Sequence, residues 1–98
     1  MIKKLTKDNF ETETKGGLKL VEFFATWCGY CKKQEVELEQ MDKVWIGQVN
    51  VDDEDELAVK FGIAGFPTFL VMKDGKEVTR FSGLRSKEEL MNILMKYV

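Results

Sequence analysis

The two cysteines of this 98-residue chain stand three positions apart, in the stretch WCGYCK. A bridge between Cys28 and Cys31 would enclose only Gly29 and Tyr30, so it would remove little conformational entropy from the unfolded chain. A structural zinc ion takes four ligands, usually from Cys and His, whereas this chain has two cysteines and no histidine. Zinc would therefore need a second chain. A reactive thiol pair is the interpretation that the residues favour.

The sequence around this pair predicts a junction between a strand and a helix. The run LKLVEFFA at residues 18–25 is nearly all apolar and of strand length, which is typical of a strand covered on both faces. A polar segment with a weak helical pattern follows at residues 32–43. Cys28 would then cap the helix, and Cys31 would lie one turn further on the same side. Because the positive end of a helix stabilises a thiolate, Cys28 is the predicted nucleophile and Cys31 the resolving thiol.

The first half of the chain predicts an alternation of strands and helices. A short strand ends near Leu5, and a helix capped by Thr6 or Asp8 runs across Phe10. The β-branched run VWIGQVNV at residues 44–51 predicts another strand. With the two elements around the cysteines, the order becomes β-α-β-α-β.

The second half predicts a helix, a hairpin and a closing helix. Asp53 can cap a helix that ends before Gly62. The dipeptide Asp74-Gly75 lies between the runs PTFLVMK and EVTRFS, which predicts two antiparallel strands joined by a tight turn. Ser86 and Glu89 form a capping box before an amphipathic helix. Together these elements predict an α/β fold with a mixed sheet and helices on both faces.

Composition excludes several classes of function. Residues 1–98 are most economically one domain. Its 15 basic residues are scattered among 17 acidic ones, so there is no basic face for nucleic acid. The N-terminus turns polar at once and no later run approaches membrane-spanning length, which predicts a cytoplasmic protein that does not bind membranes. Thiols are kept reduced in that compartment, so a close pair is more often catalytic than structural.

Three stretches carry a resemblance to the thioredoxin family, and the match covers essentially the whole chain. LVEFFATWCGYCK is similar to the strand and active-site segment of thioredoxins and of the catalytic domains of protein disulfide isomerases. VNVDDEDELAVKFGIAGFPTFLVMKDGK resembles the family's third strand through its hairpin, and FSGLRSKEEL the approach to its last helix. The resemblance implies a thioredoxin fold, with a central mixed sheet of about five strands and about four helices. It also implies that Phe66 and Pro67 form a cis peptide beside the cysteines, and that the chain needs no cofactor beyond the Cys28–Cys31 disulfide.

Glu22 stands in the middle of the most apolar predicted strand, where an unpaired carboxylate is costly. One interpretation is a glutamate on an edge strand, in water. The other is a buried acid of raised pKa that takes or returns the proton of Cys31. The resemblance favours the second, because family members carry a carboxylate with that role at this position, Glu in the isomerases and Asp in many thioredoxins.

The resemblance also implies a rim for an extended protein substrate around the cysteines. The backbone before Pro67 would pair with such a segment by β-augmentation. Trp27, Phe66 and Leu84 could equally be ordinary core residues. The expected substrate-binding residues are Trp27, Gly29, Tyr30, Gly65, Phe66 and Gly83, with Ala64 and Leu84 beside them.

The chain departs from the family pattern at three positions. Tyr30 replaces the proline of the usual thioredoxin motif, and we expect its backbone N–H to reach the Cys28 sulfur. Gln48 stands where many thioredoxins have a lysine near the buried acid, so that charge partner is missing. Val36 occupies the site of a helix-kinking proline.

These observations predict a thiol-disulfide oxidoreductase that reduces protein disulfides through a Cys28/Cys31 cycle. The expected partners are protein disulfide substrates and a thioredoxin-reductase-like electron donor, and the expected oligomeric state is a monomer. Two alternatives stay open. One is a disulfide isomerase or oxidant of higher potential, as Glu22 and Tyr30 suggest, and the other is a non-catalytic binding module with the same fold.

Overall fold

The computed structural model describes residues 2–98, which form five strands and four helices. The predicted fold class is confirmed. In chain order the elements are β1 (Ile2–Lys4), α1 (Phe10–Thr14), β2 (Leu18–Phe24), α2 (Gly29–Leu38), β3 (Ile46–Asn50), α3 (Asp55–Lys60), β4 (Thr68–Lys73), β5 (Lys76–Ser82) and α4 (Lys87–Met95). β2 and β3 are one and three residues shorter than predicted, β5 begins one residue earlier, and the helix predicted over residues 32–43 ends at Leu38, because the chain turns there towards β3.

The strands form one mixed sheet in the order β1-β3-β2-β4-β5. β3 pairs in parallel with β1 and β2, whereas β4 runs antiparallel to β2 and to β5. β2, which leads directly to the cysteines, is therefore the central strand. Its position explains the near-continuous apolar run, because both of its faces are covered.

Side chains alternate along the strands and divide the core into two layers. One layer lies under α1 and α3 and includes Phe10, Phe23 and Leu57. The other lies under α2 and α4 and includes Leu38 and Leu90. Helices thus cover both faces, as the sequence predicts.

Most of the predicted turns and caps are confirmed. Asp74 and Gly75 both have positive φ angles, 51° and 85°, as a tight hairpin turn requires. Gly62 also has a positive φ of 65° just after α3. Ser86 and Glu89 form both hydrogen bonds of the capping box.

The predicted caps of α1 and α3 are wrong. The N-cap residue of α1 is Asn9 rather than Thr6 or Asp8, and its side chain accepts a hydrogen bond from the Thr6 N–H outside the helix. The N-cap residue of α3 is Glu54 rather than Asp53. Neither helix has a side-chain cap bond, and both are short, so packing of Phe10 and Leu57 onto the sheet holds them. Across residues 2–98, no helix has the length and apolar character needed to span a membrane.

Candidate active site

The two cysteines lie where the central strand β2 gives way to α2. Cys28 is the N-cap residue of α2, with extended backbone angles, and Cys31 lies in the first turn. The Cys31 N–H donates a hydrogen bond to Cys28 Sγ over 3.2 Å. Both side chains are buried and both are free thiols. The predicted placement of the pair at a helix N-terminus is confirmed.

The amide that contacts the Cys28 sulfur is not the one that we expected. Within residues 2–98, the N–H group that donates to Cys28 Sγ belongs to Cys31, and none from Tyr30 is within hydrogen-bonding geometry. Any residue at position 30 would leave the Cys31 donor in place. The Tyr30 ring is instead exposed, with the Lys33 ammonium 5.9 Å from its centre.

A loop that contains the only proline of the chain faces the cysteines. The Phe66–Pro67 peptide bond is cis, as the resemblance implies. The Cys28 thiol donates to the Phe66 carbonyl oxygen over 3.7 Å. The Gly83 N–H donates to the Pro67 carbonyl oxygen over 2.9 Å, which joins this loop to the segment after β5. Cys28 therefore faces main-chain atoms of the residue before the cis-proline.

Aromatic side chains border this loop at the surface. Trp27 is 70% exposed, so the alternative that it is a core residue is wrong. Its ring meets that of Phe66 edge to face, 5.7 Å between centres, and Phe66 is partly buried. Asp52 accepts hydrogen bonds from Trp27 Nε1 and from the Thr26 N–H and hydroxyl, and these bonds lower the pKa of Asp52.

The other expected rim residues are exposed or partly buried. Gly29 and Tyr30 are exposed in the first turn of α2. Gly65 is partly buried, and its carbonyl oxygen accepts a hydrogen bond from the Thr68 hydroxyl. Gly83 is partly buried, with a positive φ of 97°. Leu84 is 41% exposed, so the alternative that it is a core residue is wrong. That these residues form one substrate rim around Cys28 stays a prediction.

Glu22 is buried under α2, with only 1% of its surface exposed. The alternative that it lies on an edge strand in water is wrong, because β2 is central. Gln48 Nε2 donates to Glu22 Oε1 over 2.9 Å, while Oε2 has no hydrogen-bond partner among residues 2–98. Burial raises the pKa of Glu22 to about 7, the Gln48 hydrogen bond lowers it, and the nearby Glu35 charge raises it again.

The Cys31 thiol interacts with the Cys28 side chain and with the charge of Glu22. Burial, followed by the hydrogen bond with the Cys28 side chain, raises the pKa of Cys31 to about 12. The charge of Glu22 also raises it. A thiol with so high a pKa holds its proton at neutral pH and needs a base nearby before it can attack.

Two polar contacts of α2 escaped the sequence reasoning. Gln34 is fully buried, and its amide exchanges two hydrogen bonds with the backbone of Arg85, over 2.9 and 2.8 Å. Glu35 accepts a hydrogen bond from Gln48 over 2.6 Å. The spacing of four residues from Cys31 was the available signal for Glu35, because it puts both side chains on one face of α2. For metals, residues 2–98 contain no group of three or more Cys, His, Asp or Glu side chains that could hold an ion.

Comparisons with known proteins point in one direction. The family model described as thioredoxin matches residues 1–96. The curated thioredoxin of Chlamydia caviae is 40% identical to this chain over 98 residues, 96% of each protein, and that of Listeria monocytogenes is 40% identical over the whole of both. Among solved structures, Fasciola hepatica thioredoxin has a TM-score of 0.83 at 34% identity, covering 98% of this chain and 99% of its own. Malassezia sympodialis thioredoxin has a TM-score of 0.84 at 27% identity, covering 99% and 90%.

Proposed function

This chain belongs to the thioredoxin family, and we propose that Cys28 and Cys31 perform the thiol-disulfide exchange that the family carries out. The protein is a thiol-disulfide oxidoreductase with protein-disulfide reductase activity. The observation that supports these residue roles is the position of Cys28 at the N-cap of α2, with the Cys31 N–H donating to its sulfur. Such a donor and the helix dipole both stabilise a thiolate.

The first step of the proposed cycle is attack by the Cys28 thiolate on one sulfur of a substrate disulfide. A Cys28–substrate disulfide forms, and the other substrate sulfur leaves as a thiolate that takes a proton from water. The segment around the substrate cysteine lies along the Phe66 backbone, with Trp27, Gly29, Tyr30, Gly65 and Gly83 around it. The carbonyl of Phe66, 3.7 Å from Cys28 Sγ, supports this arrangement.

In the second step Cys31 resolves the mixed disulfide. The Glu22 carboxylate takes the Cys31 proton, and the new Cys31 thiolate attacks Cys28 Sγ. The Cys28–Cys31 disulfide forms and the second substrate thiolate leaves, so two electrons have passed from the protein to the substrate. The pKa of Glu22 near 7 supports this role, because a base works best when its pKa lies near the working pH.

We further propose the cellular context of this chemistry. Residues 1–98 act as one domain and as a monomer in the cytoplasm, on protein disulfides, as part of electron transport and cell redox homeostasis. A thioredoxin-reductase-like donor recharges the pair, and no cofactor takes part besides the Cys28–Cys31 disulfide. The support is the family membership and the match to bacterial thioredoxins along their full length.

Two variants test the residue roles. Cys28→Ser should abolish reduction of a protein disulfide such as that of insulin, whereas Cys31→Ser should still attack and should accumulate a mixed disulfide with the substrate, visible by mass spectrometry. If Cys28→Ser retains full activity, the proposal is wrong and the chain is a binding module. If Cys28→Ser accumulates the mixed disulfide instead, the two roles are reversed.

Equilibration in a series of glutathione buffers separates a reductase from an isomerase. The fraction of Cys28–Cys31 disulfide gives the midpoint potential of the pair. A midpoint below the cytosolic glutathione poise is the expected result for a disulfide reductase with a dedicated electron donor. A midpoint well above it would indicate an isomerase or an oxidant.

A further inference from the structure

One side-chain amide joins two carboxylates beside the resolving cysteine. Gln48 Nε2 donates to Glu22 Oε1 over 2.9 Å and to Glu35 Oε1 over 2.6 Å. An amide nitrogen carries two hydrogens, so both are used in these two bonds. The carboxylates therefore approach the same nitrogen, and the negative charge of Glu35 disfavours ionisation of Glu22.

The fold brings the three side chains together from three elements. Glu22 on β2 and Gln48 on β3 are register partners, so their side chains project from the same face of the sheet. α2 covers that face, and Glu35 lies one helical turn after Cys31. Glu22 is 1% exposed, whereas Glu35 is only partly buried.

We propose that Glu35 is a positioning residue of the active site, whose charge, applied across Gln48, sets the pH range in which Glu22 accepts the proton of Cys31. This inference rests on the proposed role of Glu22. The directions of the interactions support it: the Gln48 hydrogen bond favours the Glu22 carboxylate, and the Glu35 charge opposes it. Without Glu35, burial alone would oppose the Gln48 hydrogen bond, so the pKa of Glu22 would be lower and Glu22 would be a weaker base.

Among the charged groups around Glu22, Glu35 is the one whose negative charge raises the pKa of Glu22. The titratable side chains of α2 are Tyr30, Cys31, Lys32, Lys33, Glu35 and Glu37, of which Cys31, Lys32 and Glu35 line the cleft beside Gln48. On the sheet, Lys4 of β1 is the register partner of Gln48, and β4 places the uncharged Phe69 opposite Glu22. Lys4 and Lys32 are exposed, so water screens their charges.

A surface cleft connects this group of residues to solvent. It has a volume of about 190 Å³, and its lining residues include Cys31, Glu35 and Gln48. The cleft opens the Glu35 end of the hydrogen-bonded group Glu22–Gln48–Glu35, here called the Glu22–Gln48–Glu35 bridge, to solvent. Glu22 itself is not among the lining residues, so the Glu35 and Gln48 side chains are the part of the group that meets solvent there.

The direct test is a titration of the Glu22 carboxyl carbon by NMR in the reduced, 13C-labelled protein. Glu35→Gln removes the charge and keeps an oxygen that can accept from Gln48. Glu39→Gln removes an equal charge from the exposed C-cap residue of α2, four residues after Glu35. We expect Glu35→Gln to lower the titration midpoint of Glu22 by at least about half a pH unit. We expect Glu39→Gln to leave it unchanged.

A second readout links the titration to the reaction. In single turnovers, the pH profile of the resolution step should shift downward in Glu35→Gln by the same amount as the Glu22 midpoint. The inference is wrong if Glu35→Gln and Glu39→Gln shift the titration midpoint of Glu22 equally. It is also wrong if that midpoint falls in Glu35→Ala but not in Glu35→Gln, because Glu35 would then act only by holding Gln48. The titration does not depend on catalysis. If the Glu22 midpoint shifts but the pH profile of resolution does not, the proposed role of Glu22 is wrong, while the effect of Glu35 on Glu22 stands.

Discussion

Replacing Glu22 with Gln should change how the stability of the reduced protein depends on pH. Burial holds the pKa of Glu22 at about 7 in the folded protein, against 4.5 for an ordinary glutamate. Glu22 therefore stays protonated in the folded protein over a pH range in which it has lost its proton in the unfolded chain. The free energy of unfolding that Glu22 contributes is greatest below pH 4.5, falls as the pH rises towards 7, and is constant above that. The gap between the two pKa values corresponds to about 3 kcal/mol.

Glu22→Gln removes this ionisation and leaves a neutral side chain of the same shape. The variant and the wild type should therefore differ least near pH 4.5, and the variant should gain about 3 kcal/mol over the wild type by about pH 8. Other carboxylates, such as Glu77 with its lowered pKa, change stability in both proteins alike and cancel in the difference. The side-chain amide introduced at position 22 can still meet Gln48, so the packing of α2 on the sheet is retained.

The assay is urea unfolding under reducing conditions at several values between about pH 4.5 and about pH 8, followed by circular dichroism. Measurements stay below the pH at which the Cys31 thiol ionises in the unfolded chain. Glu39→Gln is the control, and its stability should follow that of the wild type at every pH because Glu39 is exposed. A constant difference between Glu22→Gln and the wild type over the whole range would refute the argument, because it would mean that Glu22 ionises in the folded protein as it does in the unfolded chain.

Two further predictions concern the packing that supports the site. Gln34→Leu removes both hydrogen bonds to the Arg85 backbone and should lower the free energy of unfolding by roughly 1–3 kcal/mol, measured in the same urea assay; no loss would mean that water replaces the amide fully. Gly47→Ala should cost a similar amount, roughly 1–3 kcal/mol, because the added Cβ would overlap the buried Leu5 side chain. Gly16→Ala is its control, since nothing lies within 4 Å of the added carbon, and equal effects of the two substitutions would contradict the packing argument.

The fold was largely predictable because its signals are local. The hairpin turn needs two positive φ angles, which Asp74-Gly75 supplies, and the capping box of α4 is visible as Ser86 and Glu89. The caps of α1 and α3 were not predictable in the same way. Those helices are so short that tertiary packing decides where they begin, and a polar residue near the right position is not enough.

The site was predictable where the chemistry depends on neighbours in sequence. Cys28 and Cys31 are three residues apart, and their placement follows from the junction of one strand and one helix. The surroundings of Glu22 depend on strand order and register instead. Only the pairing of β2 with β3 brings Gln48 opposite Glu22, and only the packing of α2 brings Glu35 to the same amide.

Gln48 stands where many thioredoxins have a lysine, and its contact with Glu35 explains how this difference affects Glu22. A cation at position 48 would favour the carboxylate form of Glu22 and lower its pKa. In this chain burial raises that pKa to about 7, and the lowering effect of the Gln48 hydrogen bond is opposed by the charge of Glu35. With a pKa of about 7, Glu22 is present in both protonation states at neutral pH. In the proposed cycle, resolution of a mixed disulfide uses the Glu22 carboxylate, and reduction of the Cys28–Cys31 disulfide uses the acid that returns the proton to Cys31. Both forms are present at neutral pH, so the Glu22–Gln48–Glu35 bridge suits a cycle that must run in both directions, and Gln48→Lys should favour the first of these steps at the expense of the second.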